Sequence, residues 1–194
     1  SSAYGNTPTL PKSESVRPDP LSPYAYTKLA GEHLMRAWGL CYGLQTVSLR
    51  YFNIFGPRQR HDSPYAAVIP MFAEALRAGA RPVVYGDGRQ IRDWLYVKDH
   101  CSAIRTVLEK GRLGETYNVG GWNEKTNLEV VETLCCILDE LKPKTDGSSY
   151  TNQITFVEDR PGHDRRYAIN ATKLTHDLQW TPQETFETGI RKTI

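Results

Sequence analysis

The chain of 194 residues lacks a long apolar run, carries only four cysteines and has a net charge of just +2, and each shortage removes a class of function. No stretch has the length and apolarity to span a bilayer as a helix, so no membrane role is expected. The 24 Lys and Arg are scattered among 22 Asp and Glu, which leaves out the basic stripe of a nucleic-acid binder, and any anion bound should be small. Cys41, Cys101, Cys135 and Cys136 lie in apolar, helix-like surroundings without metal-ligand spacing. They are expected to be reduced core residues of a cytosolic, cytoplasmic protein, with no metal site. His163 has no second His or Cys at ligand spacing and reads as a loop hydrogen-bonding residue. Neither G-x-x-G-x-x-G nor G-x-G-x-x-G occurs, so the backbone turn that cradles a dinucleotide pyrophosphate is missing from these residues.

What is present suits soluble globular material: 39% hydrophobic and 24% charged residues, enough for a core and one or two compact units. Helical spacing of Leu29, Ala30, Leu34, Ala37 and Trp38 predicts a helix over 25–41, and "LQTVSLRYFNIFGP" a buried strand closed by Gly56-Pro57. Helices are expected over 66–78, 98–110, 127–142 and 171–178, the third opened by a Thr126-x-x-Glu129 capping box. Strands are expected in "PVVYGDG", "IRDWLYV", "ETYNVGG" and "QITFVED", and a polar loop in "RPGHDRRYAIN". Such alternation argues α/β, with no internal repeat. "SSAYGNTPTLP" reads as a strand end entering a loop and "TPQETFETGIRKTI" as a helix in progress, so both ends are expected to be cut.

"SPYAYTK", residues 22–28, holds the chemistry. Tyr24 and Lys28 are four apart and share a helix face; Tyr26 does not. A free tyrosine titrates at roughly 10 and is a poor base near neutrality unless a cation favours its phenolate. Lys28 can be that cation, after which Tyr24 can take a proton from a sugar hydroxyl while a nicotinamide accepts the hydride. Taken alone, the spacing also fits a surface pair.

"SSAYG", "SPYAYTK", "LRYFNIFGPRQ" and "VYGDGRQIRDWLYVKD", in this order, resemble the extended short-chain dehydrogenase/reductase family of nucleotide-sugar epimerases and dehydratases. The resemblance implies catalysis and cofactor contact by Tyr24 and Lys28, with NAD as cofactor. It implies the later part of a Rossmann-like NAD(P)-binding domain, its glycine-rich half missing, plus a small α/β substrate-binding domain. Residues 1–60, with 90–120 returning, would form the first; 61–89 and 121–194 the second. The partner implied is a UDP- or dTDP-hexose, and the parent is expected to be a homodimer.

The two halves point to different relatives. Residues up to about 80 are similar to UDP-hexose 4-epimerases, and those from about 85 onward to dTDP-glucose 4,6-dehydratases. Dehydratases of the family place an Asp-Glu pair where this chain has Ser1 and Ser2, so the 4-epimerase outcome is expected, with the 4,6-dehydratase as alternative. A folded, non-catalytic unit that at most binds a nucleotide sugar is the third reading. The family's hydroxyl residue would fall upstream of Ser1, and with the glycine-rich turn also missing, NAD binding by this chain should be weak or absent. For the substrate, the resemblance implies contacts from Asn53, from Val84 and Tyr85 around the base, from Asn123 to the nucleotide, and from Arg92 and Arg160 to the diphosphate.

Overall fold

The computed structural model describes residues 2–5, 8–62, 67–159 and 165–194, without the side chains of Ser2 and Tyr167. Ser1, Arg160 and His163 therefore lie outside the described residues, as does the side chain of Ser2. The first long element is α1, Pro23–Tyr42. The Ser22 hydroxyl accepts from the Ala25 amide and a proline occupies the first turn, where its missing N–H costs nothing. Gly43, at φ 71°, closes the helix in the left-handed conformation that a side chain would strain.

The run after α1, expected as one strand, is two: β1, Ser48–Tyr51, and β2, Asn53–Phe55. Phe52 separates them because the chain changes sheets there. β1 pairs in parallel with β5, Thr116–Val119, whereas β2 pairs in parallel with β4, Ile91–Tyr96. Between these lie α2, Val68–Arg77, and β3, Val83–Tyr85, which pairs in parallel with β7, Thr155–Val157. β4 also takes β6, Glu124–Thr126, antiparallel, and β8, Arg166–Tyr167, parallel. Neither β6 nor β8 was expected; both are too short to show a period.

Helix α3, Val97–Lys110, follows β4 directly, and α4, Asn127–Leu141, opens with the capping box of Thr126 and Glu129 as the spacing predicts. α5, Thr172–Leu178, and α6, Phe186–Arg191, complete the chain; α6 ends in a turn, so the terminal residues are not helical as expected. The parallel pairings and alternating helices make this an α/β fold of Rossmann-like type.

β4 links the two apolar cores by alternation. Trp94 and Tyr96 join Phe55, Phe72, Val84, Leu134 and Phe186 in one, while Leu95 joins Val107, Tyr117, Val119 and Trp180 in the other. The cysteines correct the sequence reading: all four lie on helices, but only Cys135 is buried and Cys41, Cys101 and Cys136 are exposed. Helical rotation of about 100° per residue separates the neighbours Cys135 and Cys136. Burial, with Asp139 nearby, pushes the Cys135 thiol up to about 12. α1 is a helix as its spacing predicts, but its only buried residue is Ala25. Leu34, Trp38 and Tyr42 stand exposed.

Candidate active site

Because α1 buries so little of itself, polar contacts decide where it sits. The Glu32 carboxylate receives the Arg50 guanidinium through Nη2 at 2.6 Å and Nε at 2.9 Å, and the Thr116 hydroxyl at 3.1 Å. This ties α1 to β1 and β5. Arg50 is 6% exposed and stacks on the ring of Tyr4, 4.7 Å from its centroid. Burial pulls the guanidinium pKa down, but the bonds to Glu32 and Tyr4 outweigh it, so the cation is held above its ordinary value. The Tyr4 phenol, which donates to Asn118 Oδ1 at 2.8 Å, is pushed up by burial.

Between α1 and β1 lies a cavity of about 510 Å³ whose wall includes Tyr24, Lys28, Glu32, Arg50, Asn53 and Arg92. The Lys28 ammonium sits 5.1 Å from the centroid of the Tyr24 ring, so the four-residue spacing is realised as a contact. Tyr24 and Tyr26 are almost equally exposed, at 63% and 60%, yet only Tyr24 lines the cavity. Helical register separates them where exposure does not.

A second cavity, of about 520 Å³ and more apolar, opens between α2, β3 and β4. Val84 and Tyr85 line it together with Met71, Phe72, Pro82 and Val83. Asn53 and Arg92 belong to both cavities. The β2/β4 register, with Asn53 opposite Trp94, brings the two together, and Asn53 Nδ2 donates to the Asp93 carbonyl at 3.3 Å. Arg92 Nη1 donates to the Ile91 carbonyl at 2.8 Å, which holds the guanidinium beside the strand.

Of the sequence-derived residues, Tyr24, Lys28, Asn53, Val84, Tyr85 and Arg92 thus line two cavities that share Asn53 and Arg92. Asn123 is not among them. Its amide donates to the Gly121 carbonyl at 2.8 Å and its oxygen accepts from the Phe186 amide at 3.2 Å, so its polar atoms are spent inside the fold. The amide that lines the second cavity is Asn127, four residues on, at the first position of α4. Two asparagines in "NEKTN" are indistinguishable by local pattern. Arg81 also lines that cavity and had no signal in sequence.

Behind this wall is a buried carboxyl. Asp93, 2% exposed, accepts from the Gly121 amide at 2.9 Å and the Asn123 amide at 2.8 Å, pinning the loop between β5 and β6. Burial raises its pKa from 3.8 to about 6 despite those two bonds.

The family model described as GDP-mannose 4,6 dehydratase matches residues 1–193. The chain belongs to that family of NAD-dependent nucleotide-sugar epimerases and dehydratases. Among family members, the dTDP-glucose 4,6-dehydratase of Shigella flexneri is 50% identical over 190 residues, 97% of this chain and 51% of that protein. The dTDP-glucose 4,6-dehydratase of Bacillus anthracis, solved with NAD, superposes with a TM-score of 0.84 at 40% identity, covering 99% of this chain and 57% of that one. The UDP-glucose 4-epimerase of Thermotoga maritima, solved with UDP-glucose, gives 0.88 at 30% identity, covering 99% and 59%. The chain spans about half the length of the curated relatives it matches.

Proposed function

We propose that these residues form the substrate cleft and the acid–base pair of an NAD-dependent dTDP-hexose 4,6-dehydratase. The observation that carries the reading is that the two cavities share Asn53 and Arg92 in their walls, with Tyr24 and Lys28 lining one and Val84 and Tyr85 the other. That layout has the polarity of a nucleotide sugar: apolar for the base, cationic for the diphosphate, protic for the hexose. The relatives named dTDP-glucose 4,6-dehydratase, at about 50% identity, support the dehydratase over the epimerase expected from the sequence.

In this reading the base rests on Val84 and Tyr85 with Asn127 at its edge. Arg92 and Asn53 bind the diphosphate, Arg160 adding a second guanidinium. The hexose enters the first cavity with its 4-hydroxyl at Tyr24. Tyr24, with the Lys28 ammonium over its ring, takes the hydroxyl proton as general base. When bound, NAD supplies the acceptor for the hydride leaving the same carbon. Tyr24, Lys28 and the β1 wall suit the nicotinamide-ribose end. No glycine-rich turn in the 194 residues serves the pyrophosphate, so the chain by itself is expected to bind NAD weakly.

Ser1 and Ser2 favour a second reading, the 4-epimerase. Loss of the 6-hydroxyl needs groups that exchange protons near neutral pH, whereas epimerisation needs only oxidation, rotation of the keto sugar and return of the hydride. The test joins this chain to the glycine-rich half of a relative and follows dTDP-glucose and UDP-glucose by NMR. A 6-methyl signal from dTDP-glucose is expected. Interconversion at the 4-position without it would replace the dehydratase by the epimerase.

A further inference from the structure

Lys28 has a competitor for its charge. Glu32 stands four residues after it, on the same face of α1, and both line the first cavity. An ammonium and a carboxylate at that spacing attract one another on any exposed helix. Yet among the described residues Lys28 forms no ion pair, and its ammonium lies over the Tyr24 ring in the opposite direction along the helix. The carboxylate is already taken. Glu32 Oε2 accepts from Arg50 Nε at 2.9 Å, and Oε1 accepts from Arg50 Nη2 at 2.6 Å and from the Thr116 hydroxyl at 3.1 Å. The Arg50 side chain is 7% exposed and that of Glu32 19%, so this fork works largely out of water, where a bidentate pair is strong and geometrically selective.

We propose that Arg50 is a positioning residue for Lys28: by occupying both oxygens of Glu32, it keeps the ammonium from pairing with that carboxylate and leaves it on Tyr24. Thr116 assists from β5. The row Tyr24, Lys28, Glu32, Arg50 is then a chain of alternating demands in which the last member decides the partner of the second. The functional consequence rests on the reading of Tyr24 and Lys28 as base and activator. The placement itself does not.

The test uses the 194-residue chain without substrate or cofactor. Lysine side chains are labelled with carbon-13, and the ε-methylene signal of Lys28, assigned through Lys28→Arg, is read for the upfield ring-current shift that a position over Tyr24 produces. In Arg50→Gln the shift is expected to be lost as Lys28 turns to Glu32, and in Arg50→Gln with Glu32→Gln it is expected to return. Arg50→Lys keeps a buried cation but not the fork and should give a partial loss. If Arg50→Gln does not fold, Arg50→Lys alone decides, and an unchanged signal there overturns the proposal. So does an unchanged signal in a folded Arg50→Gln. A merely structural part for Arg50 would leave the double variant as displaced as the single, which also refutes it. Failure of the catalytic reading would leave these spectra unchanged, so the two can fail separately.

Discussion

Asp93→Asn should change how stability depends on pH. The Asp93 carboxyl is raised from 3.8 to about 6 by burial, so between those values the folded chain holds a proton that the unfolded chain has released. Its contribution is present below the unfolded value and is lost as pH rises through about 6. A rise of that size corresponds to about 3 kcal/mol in full, of which about 2 kcal/mol falls between pH 4 and pH 7. The asparagine has no such dependence. It replaces an acceptor pair facing two N–H donors with one acceptor and one donor, and the mismatched N–H at Gly121 or Asn123 costs about 1–3 kcal/mol at any pH. The variant is therefore expected to be less stable than the parent at pH 4 and to draw level with it or pass it by pH 7. Urea unfolding followed by tryptophan fluorescence at pH 4, 5, 6 and 7 measures both. A gap between the two proteins that stays constant across that range would refute the account of Asp93 as a carboxyl held protonated by burial.

Three other outcomes are expected. In the enzyme completed with a relative's glycine-rich half, Tyr24→Phe should abolish turnover and Tyr26→Phe should keep most of it; equal losses in kcat would remove the register argument. The chain alone, with added NAD, should not turn over UDP-galactose, UDP-glucose or dTDP-glucose, and product formation by a clean preparation would contradict the need for a separate pyrophosphate cradle. Gly121→Ala should destabilise by more than about 3 kcal/mol, because a Cβ there collides with the Trp94 carbonyl oxygen, a backbone atom that cannot turn aside; a melting temperature unchanged from the parent would show that the loop can yield.

The sequence by itself determined the local elements and the contact between Tyr24 and Lys28. The helical spacing within 25–41, the capping box of α4 and the helical distance from Tyr24 to Lys28 depend on neighbours within a few residues, which is the range over which pattern carries information. The order of the four family motifs was equally legible. Tertiary structure alone decided what those residues face. The strand expected over one continuous run splits at Phe52 because β5 and β4 compete for its two ends, and pairing partners more than forty residues away leave no local trace. Asn127 and not Asn123 lines the cleft because Asp93 and Phe186 draw Asn123 into the fold. Cys136 and Trp38 are exposed although their neighbourhoods are apolar, since burial belongs to a face and its partner surface rather than to a stretch of chain. That Asn53 and Arg92 stand in the walls of both cavities is a matter of strand register, a long-range property settled only when β2 and β4 meet.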